Sequence, residues 1–101
     1  MTLMDFVLRF TAEGRQDLDA LSSQPALAKR FKSVRAALGK LQGNPRHPGL
    51  NTHKYLTLTG PRGEDVFEAY AENNTPGAYR IFWCYGPDKN MITIIAITPR
   101  P

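Results

Sequence analysis

The stretch Tyr79-Arg80-Ile81-Phe82-Trp83-Cys84-Tyr85-Gly86-Pro87-Asp88-Lys89-Asn90-Met91-Ile92-Thr93-Ile94-Ile95-Ala96-Ile97-Thr98 decides the fold. Its first seven residues are aromatic or β-forming, and Gly86 to Asn90 supply the turn chemistry of a hairpin loop. Met91 to Thr98 then runs almost wholly apolar. A strand without a polar face is buried on both sides, which places this one near the centre of a sheet. In the strand before it, the two-residue period sets Tyr79, Ile81 and Trp83 on one face and Arg80, Phe82 and Cys84 on the other.

Working back along the chain, Asp65 to Glu72 alternate Phe67, Ala69 and Ala71 with Glu68, Tyr70 and Glu72, ahead of a turn at Asn73-Asn74-Thr75-Pro76-Gly77. Another strand runs from about Thr52, with Leu56 and Leu58 set against Tyr55, Thr57 and Thr59, and stops at Gly60-Pro61-Arg62-Gly63. Upstream the period changes to that of a helix. Leu27, Phe31, Val34, Leu38 and Leu41 share one helical face, Pro25 suits the first helical position, and Gly43-Asn44-Pro45 forces a stop. The opposite face of this helix carries Lys29, Arg30, Lys32, Arg35 and Lys40, a basic surface suited to water or to RNA phosphates. A shorter helix precedes it, with Thr11 as N-cap, Glu13 in the first turn and Leu18 and Leu21 as its stripe. Met4 to Phe10 alternate like a half-buried strand. The expected fold class is α+β, in the order β-α-α-β-β-β-β, with a helical hairpin on one face of a mainly antiparallel sheet and a cleft on the other.

Residues 1–101 make one domain with room for a single core. No apolar run approaches the roughly 18 residues of a membrane span, and Met1-Thr2-Leu3-Met4-Asp5 lacks the pattern of a signal peptide, so no membrane partner and a cytoplasmic location are expected. Cys84, the single cysteine, excludes an internal disulfide and reads as a buried thiol. The net charge of +4 favours an anionic partner, either nucleic acid or an acidic peptide.

The element order, with Asn44-Pro45 closing the second helix, Thr52-His53-Lys54 opening the second strand and Tyr79-Arg80-Ile81-Phe82-Trp83 in the fourth, is similar to that of RelE-like toxins of the RelE/ParE superfamily. The resemblance spans nearly the whole chain. It implies a toxin of a toxin–antitoxin system: a ribosome-dependent endoribonuclease, or mRNA interferase, that cuts messenger RNA without a metal or other cofactor and inhibits translation. It also implies an antitoxin protein as partner. Relatives of the ParE type share the fold and inhibit DNA gyrase instead. A third alternative is a non-catalytic binding relative, to which the acidic pair Glu68 and Glu72 on the open face would suit. Arg80 matches the family's arginine that holds the scissile phosphate, and His53 and Lys54 match a His-Lys pair near the cleft rim. Relatives often carry a basic residue and a tyrosine past the last strand; here Thr98-Pro99-Arg100-Pro101 follows, and Arg100 is the candidate for part of that role.

Metal-free RNA cleavage needs a base for the 2′-hydroxyl, an acid for the leaving oxygen and cations where charge develops on the phosphate. His53, Glu68 and the weaker candidate His47 are able to transfer protons, while Arg80, Lys54, Arg62 and Arg100 are able to stabilise charge. Tyr70, Phe82 and Tyr85 are candidates for stacking an unpaired base. The plainer alternative is that Arg80 and Glu68 form a cross-strand ion pair worth about 0.2–1 kcal/mol. Two histidines without cysteines or an HxxxH spacing predict no metal site.

Overall fold

The structure, a computed structural model, describes residues 5–72 and 77–99. Met4, the turn residues Asn73 to Pro76, and Arg100 lie outside the described residues. The chain is α+β: β1 (Val7–Phe10), α1 (Ala12–Ser23), α2 (Ala28–Gly43), β2 (His53–Thr59), β3 (Asp65–Tyr70), β4 (Tyr79–Tyr85) and β5 (Met91–Pro99). Single turns of 3-10 helix at Pro25–Leu27 and Pro48–Leu50 lead into α2 and β2. The five strands form one sheet in the order β1-β5-β4-β3-β2, with β1 parallel to β5 and every other pair antiparallel. The expected order and the helical hairpin on one face are both present. The apolar strand β5 is interior, between β1 and β4.

Helix α1 is fixed to β5 at its first turn. The Thr11 hydroxyl accepts from the Gly14 amide at 3.0 Å, as an N-cap should. It also donates to the Ile95 carbonyl at 2.8 Å, while the Thr11 amide donates to Ile94 O at 3.0 Å. One turn later, Asp17 accepts from the Ile97 amide at 2.9 Å. These contacts surround a bulge, where Trp83 pairs with Ile94 but Phe82 pairs with Ala96, leaving Ile95 over. The extra residue reverses which face the next side chains take. Ile92, Ile94 and Ile97 thus all join the helix-side core with Leu21, Val34, Leu38, Leu41, Ile81 and Trp83, whereas Ile95 and Ala96 turn to the other face.

That other face was expected to be an open cleft, and it is partly filled. Between Tyr55, which pairs with Val66, and Thr59, which pairs with Asp65, β2 leaves the ladder. The interrupted alternation lets Tyr55 and Leu58 both fold down on Val66, Phe82 and Ala96, with the Tyr55 and Phe82 rings 4.9 Å apart. Leu56, expected to share a face with Leu58, points out at 85% exposure. Glu72 also departs from expectation. It accepts from the Tyr79 amide at 2.7 Å and pairs with Arg30 of α2 at 3.0 Å, so it ties the helix to the sheet and forms no acidic pair with Glu68 on the open face.

Among the described residues no helix is long and apolar enough to cross a membrane.

The close seat of α1 on β5 makes a glycine necessary in mid-turn. A Cβ on Gly14 would stand 2.6 Å from the Ile94 carbonyl oxygen, a backbone atom that cannot swing aside. Helix propensity alone would have Gly14→Ala stabilise by about 1 kcal/mol. The packing predicts the opposite sign, a loss of about 1–3 kcal/mol. Urea unfolding of the two proteins decides between them.

Candidate functional site

The two-residue period of three neighbouring strands carries four polar or aromatic side chains to the same end of the open face. In register, His53 lies opposite Glu68, and Tyr70 lies opposite Arg80. Glu68 and Tyr70 are two apart on β3 and so share that face. Arg80 Nε stands 3.2 Å from Glu68 Oε2, its Nη1 donates to the Ala78 carbonyl at 3.0 Å, and its guanidinium lies 4.7 Å from the centre of the Tyr70 ring. The His53 ring is 6.1 Å from Tyr70, tilted by 59°.

Burial sorts the four by accessibility. Glu68 is 0% exposed and Arg80 7%, while Tyr70 is half-buried and His53 is exposed. The Glu68–Arg80 contact is therefore the cross-strand ion pair anticipated from the sequence, but in a dry setting rather than as surface decoration. The guanidinium is held by a carboxylate, a carbonyl and an aromatic face at once, which fixes its plane. His53 is the most exposed group of this cluster.

The remaining candidates are placed elsewhere. Lys54 follows His53 along the strand and so takes the helix-bearing face, opposite Phe67, where its Nζ meets Asp65 at 3.1 Å on an exposed surface. Arg62 sits in the turn before β3, its amide donating to Glu64 at 2.7 Å, and lines a small hollow with Arg9, Thr11, Pro87 and Thr93. Strand β3 carries the chain from Asp65, just after that turn, to Tyr70, about 17 Å away at ~3.4 Å per step. His47 belongs to the loop after α2, where its Nδ1 accepts from the Gly49 amide at 2.9 Å. Arg100 lies outside the described residues. Tyr70 additionally lines a polar groove with Lys29, Ser33, Lys40 and Glu72, so the basic face of α2 borders the cluster. Among the described residues no group of three or more His, Cys, Asp or Glu side chains gathers to hold a metal ion. Cys84 is buried, and desolvation, helped by the negative charge of Glu64, pushes its thiol above the ordinary value of 9.0. A thiol so placed is protonated at neutral pH and a poor nucleophile.

No family model matches this sequence, and no curated protein does. Solved structures match over almost the full length. A YoeB/ParE toxin from Agrobacterium tumefaciens superposes with a TM-score of 0.69 at 9% identity, over 94% of this chain and 99% of its own. The fold is that of the RelE/ParE toxins. A YoeB dimer from Staphylococcus aureus gives 0.63 at 14% identity, over 96% of this chain and 99% of its own. RelE in a RelE–RelB complex from Pyrococcus horikoshii gives 0.62 at 20% identity, over 96% and 97%. Identities this low carry the RelE/ParE fold and leave the activity to be argued from the site.

Removing one partner of a buried ion pair leaves the other charge without compensation, at a cost of about 3–5 kcal/mol. Glu68→Gln and Arg80→Met should each destabilise by about that amount, while the two changes together should restore most of it. Urea unfolding of all four proteins as a double-mutant cycle measures the coupling. Coupling below about 1 kcal/mol would mean that the pair behaves as an exposed one.

Proposed function

We propose that the chain is a RelE-type toxin of a toxin–antitoxin pair that cleaves messenger RNA on the ribosome without a metal, and that His53, Glu68, Tyr70 and Arg80 form its active site. What supports this is the convergence of an exposed imidazole, an oriented guanidinium and an aromatic plane on the open face of a RelE/ParE fold. In the reaction, the ribose 2′-oxygen attacks the adjacent phosphorus, the bond to the 5′-oxygen breaks, and a 2′,3′-cyclic phosphate and a 5′-hydroxyl result. His53 takes the 2′-hydroxyl proton, and the 5′-oxygen is protonated from water. Arg80 supports the charge that builds on the phosphate oxygens. Glu68 orients Arg80, Tyr70 stacks a base beside the scissile bond, and the bordering lysines of α2 follow the RNA backbone. The antitoxin partner rests on the fold: RelE of the Pyrococcus complex is solved with its RelB.

The burial of Glu68 and Arg80 favours a second reading. With their charges engaged by one another, the same face would serve as a binding surface without catalysis, as a gyrase inhibitor or another non-catalytic relative requires.

His53 separates the two, because it is exposed and its replacement does not disturb the buried pair. Induced in a bacterial host, the wild type should arrest growth and create new 5′ ends within translated messages, mapped by primer extension. His53→Ala should reduce cleavage about a hundredfold at equal soluble protein. Arrest that persists undiminished in His53→Ala, with no new ends in either strain, would establish the binding reading.

A further inference from the structure

The helix-bearing face has a corner that neither helix covers. Beyond the C-terminal end of α2, the segment from Pro45 to Thr52 and strands β2 to β4 enclose a recess of about 600 Å³. Three aromatic rings line it: Phe67 and Trp83 stack at 5.0 Å, and Tyr85 stands edge-on to Trp83 at 4.9 Å. Tyr85 is 43% exposed, unusual for a ring otherwise surrounded by aromatic neighbours. Two further features single the recess out. Trp83 and Thr52 both line it, and the Trp83 indole Nε1 and the Thr52 hydroxyl are buried with no hydrogen-bond partner among the described residues. Buried donors without acceptors are rare, and each one calls for an explanation. At the rim stand the cations Arg46 and Lys54.

We propose that this recess binds an unpaired nucleobase together with its attached phosphate. A base offers a flat face to Tyr85 and Phe67, acceptor atoms on its edge for the Trp83 N–H and the Thr52 hydroxyl, and a phosphate for Arg46 and Lys54. Other occupants meet only part of this set. An aliphatic or phenyl side chain would fill the volume and leave both donors unanswered, whereas a bare anion would engage the rim and leave the aromatic wall wet. The volume lies within the usual range of small-ligand sites, about 300–1,000 Å³. Because Trp83 and Lys54 take the face opposite to Arg80 and His53, the recess is separate from the proposed active site, and its occupancy does not depend on catalysis there.

Trp83 is the single tryptophan of the chain, so its emission reports directly on the recess. Titration of the intact protein with each of the four ribonucleoside monophosphates should change that emission saturably, and inorganic phosphate alone should not. Tyr85→Ala and Arg46→Ala should each weaken binding by about tenfold or more. Thr52→Val, which keeps the side-chain shape and removes the hydroxyl, should weaken it too, while His53→Ala should leave it unchanged. A single-stranded hexaribonucleotide distinguishes the sources of the base. Binding more than about tenfold tighter than the monophosphates assigns the recess to RNA, and equal binding assigns it to a free nucleotide. No saturable change up to about 10 mM nucleotide, or one that Tyr85→Ala and Thr52→Val both leave intact, overturns the proposal.

Discussion

The bulge at Ile95 is the constraint on which the rest of the molecule depends. A β-strand nine residues long that runs without a break offers alternate residues to each face. Here the extra residue changes that parity part-way, so three isoleucines before and after it serve the helix-side core while Ile95 and Ala96 serve the other. A bulge also strands backbone groups that the ladder would have paired, and buried ones must find partners. Helix α1 provides them: Thr11 takes the carbonyls of Ile94 and Ile95, and Asp17 takes the amide of Ile97. The bulge and the helix cap are therefore one device, and the approach it requires leaves room only for Gly14 beneath the helix.

The same accommodation shapes the opposite face. With Ala96 and Ile95 turned towards it, apolar surface lies where a cleft was expected, and the irregular middle of β2 lowers Tyr55 and Leu58 onto it. The covered half of the face is hydrophobic, which confines the polar cluster to the end where β2 begins. There Arg80 and Glu68 are dry, and His53 is the most exposed member.

Much of this was legible in the sequence where local chemistry decides. Thr11 as cap, the helical stripe through Val34 and Leu41, and the two faces of β4 follow from hydrogen-bonding groups and periods contained within a few residues. What escaped were departures from a period. In the run from Met91 to Ile97 the one polar residue, Thr93, comes before the bulge and nothing polar follows it to mark a change of parity, so the bulge leaves no trace in composition. In β2, Leu56 and Leu58 look equivalent by alternation, and only the lost register separates an exposed residue from a buried one. The candidate site was legible to the same degree. Glu68, Tyr70 and Arg80 could be placed on one face because β3 and β4 keep their period, whereas the depth of their burial depends on what β2 does above them. The aromatic recess was not legible as a site: Phe67 and Trp83 in strands read as ordinary core, and Tyr85, a candidate for stacking a base, has nothing local to show which rings it joins.

The buried ion pair is poorly explained by stability. Two well-packed apolar residues would hold β3 to β4 at least as firmly, since desolvation of two charges offsets much of their attraction. What an apolar pair would not provide is orientation. Glu68, the Ala78 carbonyl and the Tyr70 ring together leave the Arg80 guanidinium one plane and one direction, in a setting where its field is little screened by water. A phosphate drawn to the exposed His53 would meet a positive charge whose position does not have to be organised when the reaction occurs, which is the property that makes preorganised cations effective in phosphoryl chemistry. The same burial sets the limit on that role, because Glu68, 3.2 Å away and as little screened, offsets the guanidinium's charge at any distance much beyond contact.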